Sequence, residues 1–448
     1  MRVLVVGSGG REHALVWALQ RSAAVSEVLA APGNAGIARA AECHPVAADD
    51  PAAVRDLVRR LGVDLVVPAA DRQLVNGVAD AVRVEGVPAF GPGADGAHLE
   101  GSKAWMKQVA HEAGIPSARH ATFGPDDEAA ALAFLESMRD LYVVKTDGLA
   151  EGKGVFVTDH YPDARDAVRS YLAGDAFGDA GRTLVIEEGM TGPELSLLAV
   201  CNGDPHGARP LTPAQDFKRI GEGDTGLNTG GMGAYSPVPI ATGRVDELMA
   251  SFVTPTLVHL AGLGIDYRGV LYAGLMFTPE GPKLVEYNVR FGDPEVQVVL
   301  PRLRSDAGEL IAAAAQGEAL PALDFTDDAC VTVVLATEGY PVAPYRTGDR
   351  ISGLDRAEAL DGVVVFHAGS AFGHAAGSAF GHAAGSAFGH AAGSASDDGG
   401  LVTAGGRVLD VTALAPSIGE ARARAYDAAR MIEWPGVYYR GDIAAGVD

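Results

Sequence analysis

The chain has 448 residues, 48% of them hydrophobic, and a formal net charge of −23. This length accommodates about three domains. So acidic a surface excludes duplex nucleic acid as a partner, because proteins bind nucleic acid largely by neutralising its phosphates. Any anionic small molecule must therefore be bound through local groups of lysines, arginines and backbone amides.

Cysteine usage and the N-terminal sequence indicate a cytoplasmic setting. Cys43, Cys201 and Cys330 lie far apart and have neither the spacing of a disulfide framework nor that of a zinc site. The apolar run after Arg2 is too short for a signal peptide or a membrane span. We expect a cytoplasmic protein with no membrane partner and no targeting segment.

The first hundred residues alternate strand-like and helix-like stretches. The strands are predicted at "RVLVV", "SEVLAA", "VDLVVPAA" and "VPAFGPG", and the helices over 11–21 and 51–61. This βαβ pattern predicts a Rossmann-like, mainly parallel sheet in an N-terminal domain over residues 1–102. Ligands are expected at the carboxyl edge of such a sheet.

Two further domains follow, so the whole chain is predicted to be a multidomain α/β and α+β protein. The central domain spans 103–326 and includes a small α+β unit over about 123–188, which ends in the strand "TLVIEEG". The C-terminal α+β domain spans 327–448. Its last helix is predicted to begin at the capping box formed by Ser417 and Glu420.

An eight-residue repeat, "AGSAFGHA", occurs three times from Ala368 to Ala391, within a segment that spans 367–395. One interpretation is metal capture by His367, His374, His382 and His390. The other is an expanded surface loop that joins two strands of the last domain, and the low complexity of the segment favours it.

The stretch "GSGGREH" after the first strand resembles the start of a dinucleotide-binding motif. The G-x-G-x-x-G fingerprint requires glycine at position 12, and the chain has Glu12. A glycine-rich turn that opens a helix still presents backbone amides to an anion. We therefore expect a phosphate–ribose site at this turn; a tight turn that serves only the fold is the alternative.

A second glycine-rich stretch, "VVKTDGLAEGKGVFV", cannot be a P-loop. The P-loop pattern would require glycine at 147 and Ser or Thr at 154, and it must open a helix rather than precede a strand such as "VFV". Strand, glycine-rich loop and strand instead predict a flap that closes over phosphates. Lys145 and Lys153 would each gain up to ~4 kcal/mol near a phosphate oxygen, before desolvation.

The stretch "KLVEYNVRFGDPE" is predicted to be a strand as far as Arg290, with Glu286, Asn288 and Arg290 on one face. Carboxylate and amide oxygens are suitable Mg²⁺ ligands, with phosphates completing the shell. Arg290 is then free to pair with a carboxylate. A solvated face of an edge strand is the alternative.

With these motifs the chain resembles the glycinamide ribonucleotide synthetase family, the phosphoribosylamine–glycine ligases of purine biosynthesis, which are ATP-grasp enzymes. The matching stretches occur in the family's order and cover most of the chain: "GSGGREHAL", "APGNAG", "LEGSKAWMK", "VVKTDGLAEGKGV", "AQDFKRIGEGDTGLNTGGMGAYSPVP", "YRGVLYAGLMFTPEGPKLVEYNVRFGDPEVQ" and "GGRVLDVTALA".

The resemblance implies an ATP-grasp fold for residues 103–326, with the unit at 123–188 as a mobile lid. It also implies a reaction in which ATP phosphorylates glycine to glycyl phosphate. The nitrogen of 5-phosphoribosylamine then displaces phosphate, which yields glycinamide ribonucleotide, ADP and phosphate. The first step depends on positioning and charge neutralisation, and the second on the exclusion of water.

The resemblance further implies roles for residues at matching positions. Glu286 and Asn288 would bind Mg²⁺ or Mn²⁺, and Asp216, Arg290 and Lys153 are the expected catalytic residues. Lys103 and Lys145 would contact the phosphates, Glu187 in the hinge strand the adenine, and Glu194 the ribose hydroxyls. The expected ATP-binding residues are Lys103, Lys145, Asp147, Gly148, Gly152, Lys153, Gly154, Glu187, Glu188 and Glu194. The expected substrate-binding residues are Gly9, Gly10, Asn34, Asp216, Lys218, Arg290 and Gly292.

The chain departs from the family's pattern at several positions. Phe217 stands where the family usually has histidine, so a hydrogen bond from that imidazole is lost. "VVPAAD" replaces a common G-P-E pattern, and Asp71 is the expected substitute for the lost contact. The strand "YAGLMF" carries no carboxylate, so a metal ion would depend on Glu286, Asn288 and phosphate oxygens.

Two rival functions remain open from the sequence. One is another ATP-grasp carboxylate–amine ligase, since the flap and the metal-binding strand are common to that superfamily. The other is a catalytically silent nucleotide-binding protein, although both lysines and the metal pair are kept. We expect a monomer that contacts the upstream amidotransferase only transiently.

Overall fold

The computed structural model of the chain describes residues 1–149, 154–174, 183–373 and 400–447. Within these ranges, no helix is both long enough and apolar enough to cross a bilayer. Gly152, Lys153, His374, His382 and His390 lie outside the described residues.

A parallel four-stranded sheet forms the N-terminal part, with strand order β3-β2-β1-β4. Its elements are β1 (Arg2–Gly7), α1 (Gly10–Leu19), β2 (Glu27–Pro32), β3 (Glu42–Cys43), α2 (Pro51–Leu61), β4 (Leu65–Pro68), α3 (Asp71–Val75), α4 (Val78–Arg83) and α5 (Ala94–Gly101). The strands are continuous apolar runs because helices cover both faces of a parallel sheet. The predicted strand "VPAFGPG" is wrong, since this stretch makes only one bridge, between Val66 and Ala89.

An antiparallel sheet with the order β5-β8-β6-β7 lies in the unit that is predicted to be the lid. The elements from the start of the central part are α6 (Lys103–Glu112), β5 (His120–Phe123), α7 (Glu128–Glu136), β6 (Tyr142–Thr146), β7 (Val155–Thr158), α8 (Tyr161–Ala173) and β8 (Leu184–Glu188). The pairing of β6 with β7 confirms that the glycine-rich stretch joins two strands. The buried side chains of the lid, including Leu135, Val144 and Val168, form a core of their own.

A second antiparallel sheet, with the order β10-β9-β15-β16, carries the rest of the central part. The elements here are β9 (Glu194–Asn202), β10 (Arg209–Pro210), β11 (Gln215–Asp216), β12 (Arg219–Gly221), β13 (Thr225–Asn228), β14 (Gly233–Ser236), α9 (Val245–Leu248), α10 (Thr254–Gly262), β15 (Arg268–Thr278), β16 (Gly281–Asn288), α11 (Val296–Val299) and α12 (Ala307–Gln316). Strand β16 ends at Asn288, so the prediction that Arg290 continues this strand is wrong.

The C-terminal part is built on a five-stranded sheet with the order β11-β14-β17-β21-β18. Its elements are β17 (Ala329–Ala336), α13 (Leu354–Glu358), β18 (Val363–His367), β19 (Ser370–Phe372), β20 (Leu401–Thr403), β21 (Arg407–Ala415) and α14 (Ile418–Ala429). The Ser417 hydroxyl accepts from the Glu420 amide at 3.2 Å, which confirms the predicted start of α14. Because β11 and β14 belong to this sheet, the central part supplies two strands to the C-terminal one.

Strand β19 lies within the first copy of the repeat and pairs antiparallel with β20, which follows the repeat segment, in a separate two-stranded sheet. The rest of the repeat therefore joins two neighbouring strands of the C-terminal part, as the loop interpretation expects. His367 is fully buried, its ring nitrogen Nδ1 lies 2.8 Å from the Ser370 hydroxyl, and its amide donates to His13 Nδ1 at 2.8 Å. These internal partners make His367 unsuitable for metal capture by a surface loop.

The separate core of the lid predicts that the lid can open without unfolding the rest of the chain. Leu135 is fully buried in that core, so Leu135→Ala should cost about 2–5 kcal/mol of lid stability. Hydrogen exchange should quicken in β5, α7, β6, α8 and β8 and remain unchanged in β1 and β17. The matched control is Leu4→Ala, which removes a fully buried leucine from the main core. Uniform loss of protection in Leu135→Ala would contradict an independent lid.

Candidate active site

The candidate site lies on one face of the sheet that contains β9, β15 and β16. Cross-strand register aligns Ser196, Gly274 and Glu286 in one row, and places Tyr272 opposite Asn288 in the next. Directly opposite residues of antiparallel strands share a face. Glu286 and Asn288 therefore do lie on one face, as the period of two predicts, and a Cβ at Gly274 would lie 3.4 Å from Glu286 Cγ.

Glu286 is a half-buried carboxylate surrounded by cations. In the part of the chain that the structure describes, no donor forms a hydrogen bond to it. Burial alone would raise its pKa, but Lys218, Lys145, Lys103 and Arg290 together outweigh burial and lower the pKa. The structure thus holds a free, ionised carboxylate at a point where four cationic side chains converge.

Arg290 lies just beyond the end of β16 and is held there by Glu100. Its Nη2 donates to Glu100 Oε1 at 2.8 Å and to Asn288 Oδ1 at 3.2 Å, and the Val289 amide donates to Glu100 Oε2 at 2.8 Å. The Nε of Arg290 is buried without a partner within the described ranges. The Nε of Arg290 thus stays available as a donor to a ligand. Arg290 lies beside Asn288, although Arg290 itself is not on the strand.

Two lysines share one buried carboxylate near the start of the lid. The side chains of Lys107 and Lys145 each form an ion pair of 2.8 Å with Glu187, and all three are almost completely buried. Burial alone would raise the pKa of Glu187, but Lys145 and Lys107 lower it. The carboxylate of Glu187 therefore orients lysines in this structure; its predicted contact with adenine stays a prediction.

The first part of the flap is tied to the start of α6. Asp147 accepts hydrogen bonds at 3.1 Å from the Ser102 hydroxyl and the Ala104 amide, so it caps this helix. Lys103 donates to the Gly148 carbonyl at 2.7 Å. Burial lowers the pKa of Lys103. Lys103 and Lys145 are thus brought to the same place, whereas the Asp147 carboxylate is used internally.

The remaining predicted ATP-binding residues frame the flap and the hinge. The Gly154 carbonyl accepts from the Thr146 amide at 2.8 Å and closes the base of the β6–β7 hairpin. The Glu188 carboxylate accepts from the Arg119 amide at 3.0 Å, which ties β8 to the residue before β5. Gly154 and Glu188 thus lie at the edge of the predicted ATP-binding site, and their hydrogen bonds connect elements of the predicted lid.

A carboxylate-rich group around Asp216 shares Lys218 with Glu286. Glu194 pairs with the Lys218 ammonium at 2.6 Å, and Asp216 lies close by on β11. Burial is the main cause that raises the pKa of Asp216 to about 8. Glu295 and Glu194 contribute to this rise, whereas Lys218 opposes it. Burial alone would lower the pKa of Lys218, but Glu194 and Asp216 raise it well above its usual value. Asp216 is therefore largely protonated at neutral pH.

Glu295 completes this group and was not predicted. Its Oε1 accepts from the Tyr272 hydroxyl at 2.6 Å and the Ser196 hydroxyl at 3.1 Å. A Cβ at position 292 would collide with its Oε2, so Gly292 is required for the Glu295 side chain to fold back. The stretch "RFGDPEVQ", which belongs to the family resemblance, contains Glu295. Glu295 lies in a turn there, so no helix or strand periodicity indicates where its side chain points.

Three other residues of the site were also missed: Lys107, Ser196 and Tyr272. Only the register between strands brings Ser196 and Tyr272 onto the face of Glu286 and Asn288. Lys107 lies one helical turn after Lys103 in the stretch "SKAWMK", and this spacing places both on one face of α6. The four-residue spacing between Lys103 and Lys107 was the one sequence signal that could have identified Lys107 as a site residue.

The predicted phosphate–ribose turn at Gly9 and Gly10 is already engaged by acidic side chains. The Gly9 amide donates to Glu12 Oε2 at 2.5 Å. A Cβ at position 10 would collide with the carboxylate of Asp410 from β21, so only glycine fits there. The Gly9 amide is therefore not free for a phosphate in this state.

Asn34 holds this turn in place. Its amide nitrogen donates to the carbonyls of Ser8 at 2.8 Å and His367 at 2.7 Å, and its oxygen accepts from the Ile37 amide at 2.9 Å. The Asn34 side chain thus joins the N-terminal turn to the C-terminal sheet. Its predicted contact with substrate stays a prediction.

The turn and the site are linked through the loop after β16. Arg11 donates to the Phe291 carbonyl at 3.0 Å, and Asp293 forms an ion pair with Arg407 at 3.2 Å. Asp71, from the stretch "VVPAAD", is near enough to Arg290 to contribute to its raised pKa, although burial acts in the opposite direction. The N-terminal turn and Asp71 therefore both lie next to the segment that contains Arg290 and Phe291.

The donor set fits a divalent cation only with help from a ligand. Among the described residues, no group of three or more His, Cys, Asp or Glu side chains could hold a metal ion. Glu286 offers a free carboxylate, and Asn288 Oδ1 accepts a single, long bond from Arg290. Two hard oxygen donors suit Mg²⁺ when phosphate oxygens supply further ligands.

Comparison with known families identifies all three parts of the chain. The model of the phosphoribosylglycinamide synthetase N domain matches residues 1–100, that of its ATP-grasp (A) domain residues 101–296, and that of its C domain residues 330–446.

Similar sequences and structures extend over the full length. The phosphoribosylamine–glycine ligases of Streptomyces coelicolor and Nostoc sp. are 46% and 45% identical to the chain. Each match covers at least 99% of both proteins. The crystal structure of phosphoribosylamine–glycine ligase from Thermotoga maritima has a TM-score of 0.78 at 31% identity, and the match covers 99% of this chain and 100% of that one.

A biotin carboxylase from Campylobacter jejuni shares the fold. Its TM-score is 0.69 at 14% identity, and the match covers 98% of this chain and 92% of that one. Together, the three matched domains and the full-length relatives show that the chain belongs to the phosphoribosylglycinamide synthetase family of ATP-grasp ligases.

Proposed function

We propose that this cleft joins glycine to 5-phospho-D-ribosylamine with cleavage of ATP, as part of purine biosynthesis. The products are glycinamide ribonucleotide, ADP and phosphate. The observation that carries the proposal is the ionised, unbonded carboxylate of Glu286, which lies near Lys103, Lys145 and Arg290 and shares Lys218 with the carboxylate-rich group around Asp216. A binding protein without phosphoryl-transfer chemistry would not need such a group.

Lys103 and Lys145 bind the ATP phosphates, and the flap between β6 and β7, with Gly152 and Lys153 in the stretch outside the described residues, closes over them. Glu187 holds Lys145 in place at 2.8 Å. Glu286 and Asn288 would hold Mg²⁺ or Mn²⁺, and such an ion would supply charge neutralisation for phosphoryl transfer. Phosphoryl transfer needs little else from the protein, because positioning and electrostatic stabilisation supply most of the rate.

Glycine lies between the two charged groups of the cleft. Arg290 pairs with its carboxylate, and Asp216 receives its ammonium, with Glu295 nearby as a second carboxylate. Phosphorylation of the glycine carboxylate gives an acyl phosphate. The amine of the ribosylamine attacks its carbonyl carbon, the bond to phosphate breaks, and the amine loses a proton. The lid excludes water, which would otherwise hydrolyse the acyl phosphate.

The phosphoribosylamine binds beside Gly9, Gly10 and Asn34. The loop from Phe291 to Asp293 connects this turn to Arg290, so the amine can approach glycine from the N-terminal side. Binding of the phosphate requires Glu12 to release the Gly9 amide.

We also propose that the protein acts as a cytoplasmic monomer that receives its unstable ribosylamine through transient contact with the upstream amidotransferase. Three unpaired cysteines, two of them buried, suit a reducing compartment.

Purified protein given Mg-ATP, glycine and freshly prepared ribosylamine should release ADP only when all three are present. Hydroxylamine added without ribosylamine should trap glycine as the hydroxamate, since it intercepts an acyl phosphate. Replacement of glycine by other amino acids tests the rival ligase function. Equal turnover with another amino acid, or ADP release that does not depend on glycine, would contradict the proposal.

Loss of the charge at position 286 should abolish ligation without unfolding the chain. Glu286→Gln keeps the size of the side chain but removes the anionic metal ligand, so kcat/KM should fall on the order of 10³-fold. Steady-state ADP release measures the effect, and thermal unfolding reports the fold. Glu280→Gln is the matched control, because Glu280 is an exposed carboxylate between β15 and β16 that pairs with Lys283. Near-normal turnover in Glu286→Gln would refute the metal assignment.

Glycine binding should release a proton at neutral pH. Asp216, with a pKa of about 8, is protonated below that pH and must ionise to receive an ammonium. Glycine affinity should therefore rise with pH toward 8, by at most about tenfold per pH unit. Calorimetry in buffers of different ionisation enthalpy, with a non-hydrolysable ATP analogue present, should detect close to one released proton at pH 7. Asp216→Asn should bind glycine weakly and release none; proton-neutral binding by the unmodified chain would contradict the assignment.

A further inference from the structure

Phe217 separates two residues of the proposed glycine site but faces the other way. Asp216 and Lys218 lie toward Glu194, whereas the Phe217 ring lies 6.2 Å from the ring of Tyr235 and under the guanidinium of Arg440. The distance from Arg440 Cζ to the centre of the Phe217 ring is 5.2 Å, within the range of a cation–π contact. Phe217 is thus in contact with the C-terminal segment.

Arg440 is 1% exposed and binds the segment that follows Phe217 at several points. Its Nη1 donates to the Arg219 carbonyl at 2.9 Å and lies 3.6 Å from the Asp224 carboxylate. Its Nε and Nη2 form a bidentate pair with Asp442, both at 2.7 Å. A planar guanidinium can make all of these contacts at once, which a lysine ammonium cannot.

Residues on either side of Arg440 make further hydrogen bonds to the β12–β13 hairpin. Asp442 Oδ2 accepts from the Gly223 amide at 2.8 Å, and Glu222 accepts from the Gly441 amide at 3.0 Å. The Tyr438 hydroxyl donates to the Ile220 carbonyl at 2.7 Å. The segment 438–442 therefore fixes the stretch 217–224 by its backbone and side chains together.

We propose that Arg440 and Phe217 position Asp216 and Lys218, so that the C-terminal segment sets the affinity for the amino-acid substrate. The inference rests on the proposed function, in which Asp216 receives the ammonium of glycine. Side chains that bind a substrate need neighbours that lock their orientation. Here the guanidinium of Arg440, from the C-terminal part, contacts Phe217 and Arg219 on either side of Lys218 and so holds this stretch in place.

Arg440→Lys and Phe217→Leu remove the planar cation and the aromatic face, respectively. Each should raise the KM for glycine about three- to thirty-fold and leave the KM for ATP unchanged. Phe217→Tyr keeps the ring and should restore the KM for glycine. Because both residues act through one contact, the double variant should raise this KM little more than either single variant.

Arg422→Lys is the matched control. Arg422 lies 4.8 Å from the ring of Tyr426 and donates to the Ile443 and Gly441 carbonyls at 2.8 and 2.6 Å, so it also anchors the C-terminal segment by a cation and a ring. No contact joins it to 216–224 within the described residues. Its variant should lower thermal stability as Arg440→Lys does, but it should raise the KM for glycine less than Arg440→Lys, because Arg422 reaches the stretch 217–224 only through the Gly441 backbone.

Hydrogen exchange supplies a readout that does not depend on turnover. In Arg440→Lys, exchange should quicken at residues 216–228 and remain unchanged in the lid. An unchanged KM for glycine in Arg440→Lys and Phe217→Leu, or equal increases in the KM for glycine and for ATP, would overturn the inference while the proposed function stands. An unmodified chain that does not ligate glycine would overturn both.

Discussion

The site depends on the burial of several cations in a chain that is strongly acidic overall. Lys103, Lys107, Lys145, Lys218 and Arg290 converge on one cleft, and a buried charge is tolerated only when it is paired. Most of the pairing carboxylates come from other elements: Glu187 of β8 for two lysines, Glu194 of β9 for Lys218, and Glu100 of α5 for Arg290. The cations are therefore held in place before any phosphate arrives, which is the condition for electrostatic catalysis. Glu286 alone among the acidic residues near β16 is left without a partner in the described part of the chain, and this makes it available to a ligand.

The cleft is also where all three parts of the chain meet. The loop after β16 touches the N-terminal turn through Arg11 and the C-terminal sheet through Asp293 and Arg407. Two strands of the central part, β11 and β14, pair into the C-terminal sheet, so Asp216 is carried by that sheet rather than by the one that carries Glu286. Substrate groups are thus presented from different sheets, and their spacing depends on how those sheets pack. The predicted lid has a hydrophobic core of its own, separate from this frame.

The sequence was sufficient to predict the site where a local pattern determines which way a side chain points. The period of two placed Glu286 and Asn288 on one face, and the order strand, glycine-rich loop, strand predicted the hairpin of the lid. It was insufficient where direction depends on a turn or on a distant partner. Arg290 lies after the end of β16, and Asp147 turns back to cap α6. Tyr272 and Ser196 reach Glu295 only because of the register between β9 and β15. The resemblance to a family identified Asp216 and Lys218, but it could not show that Phe217 contacts a residue more than two hundred positions away.

The distribution of charge along the cleft also orients a zwitterion. Lys218, Lys145, Lys103 and Arg290 lie around Glu286, and Asp216 lies near Glu194 and Glu295. In the proposed reaction, glycine therefore gains most when its carboxylate faces the lysines and its ammonium faces the carboxylates. That orientation directs the carboxylate toward the phosphates of ATP, where it must act as the nucleophile. Burial raises the pKa of Asp216 to about 8, so the empty cleft favours its protonated form beside Glu295 and Glu194, and in the proposed reaction the ammonium of glycine favours the ionised form.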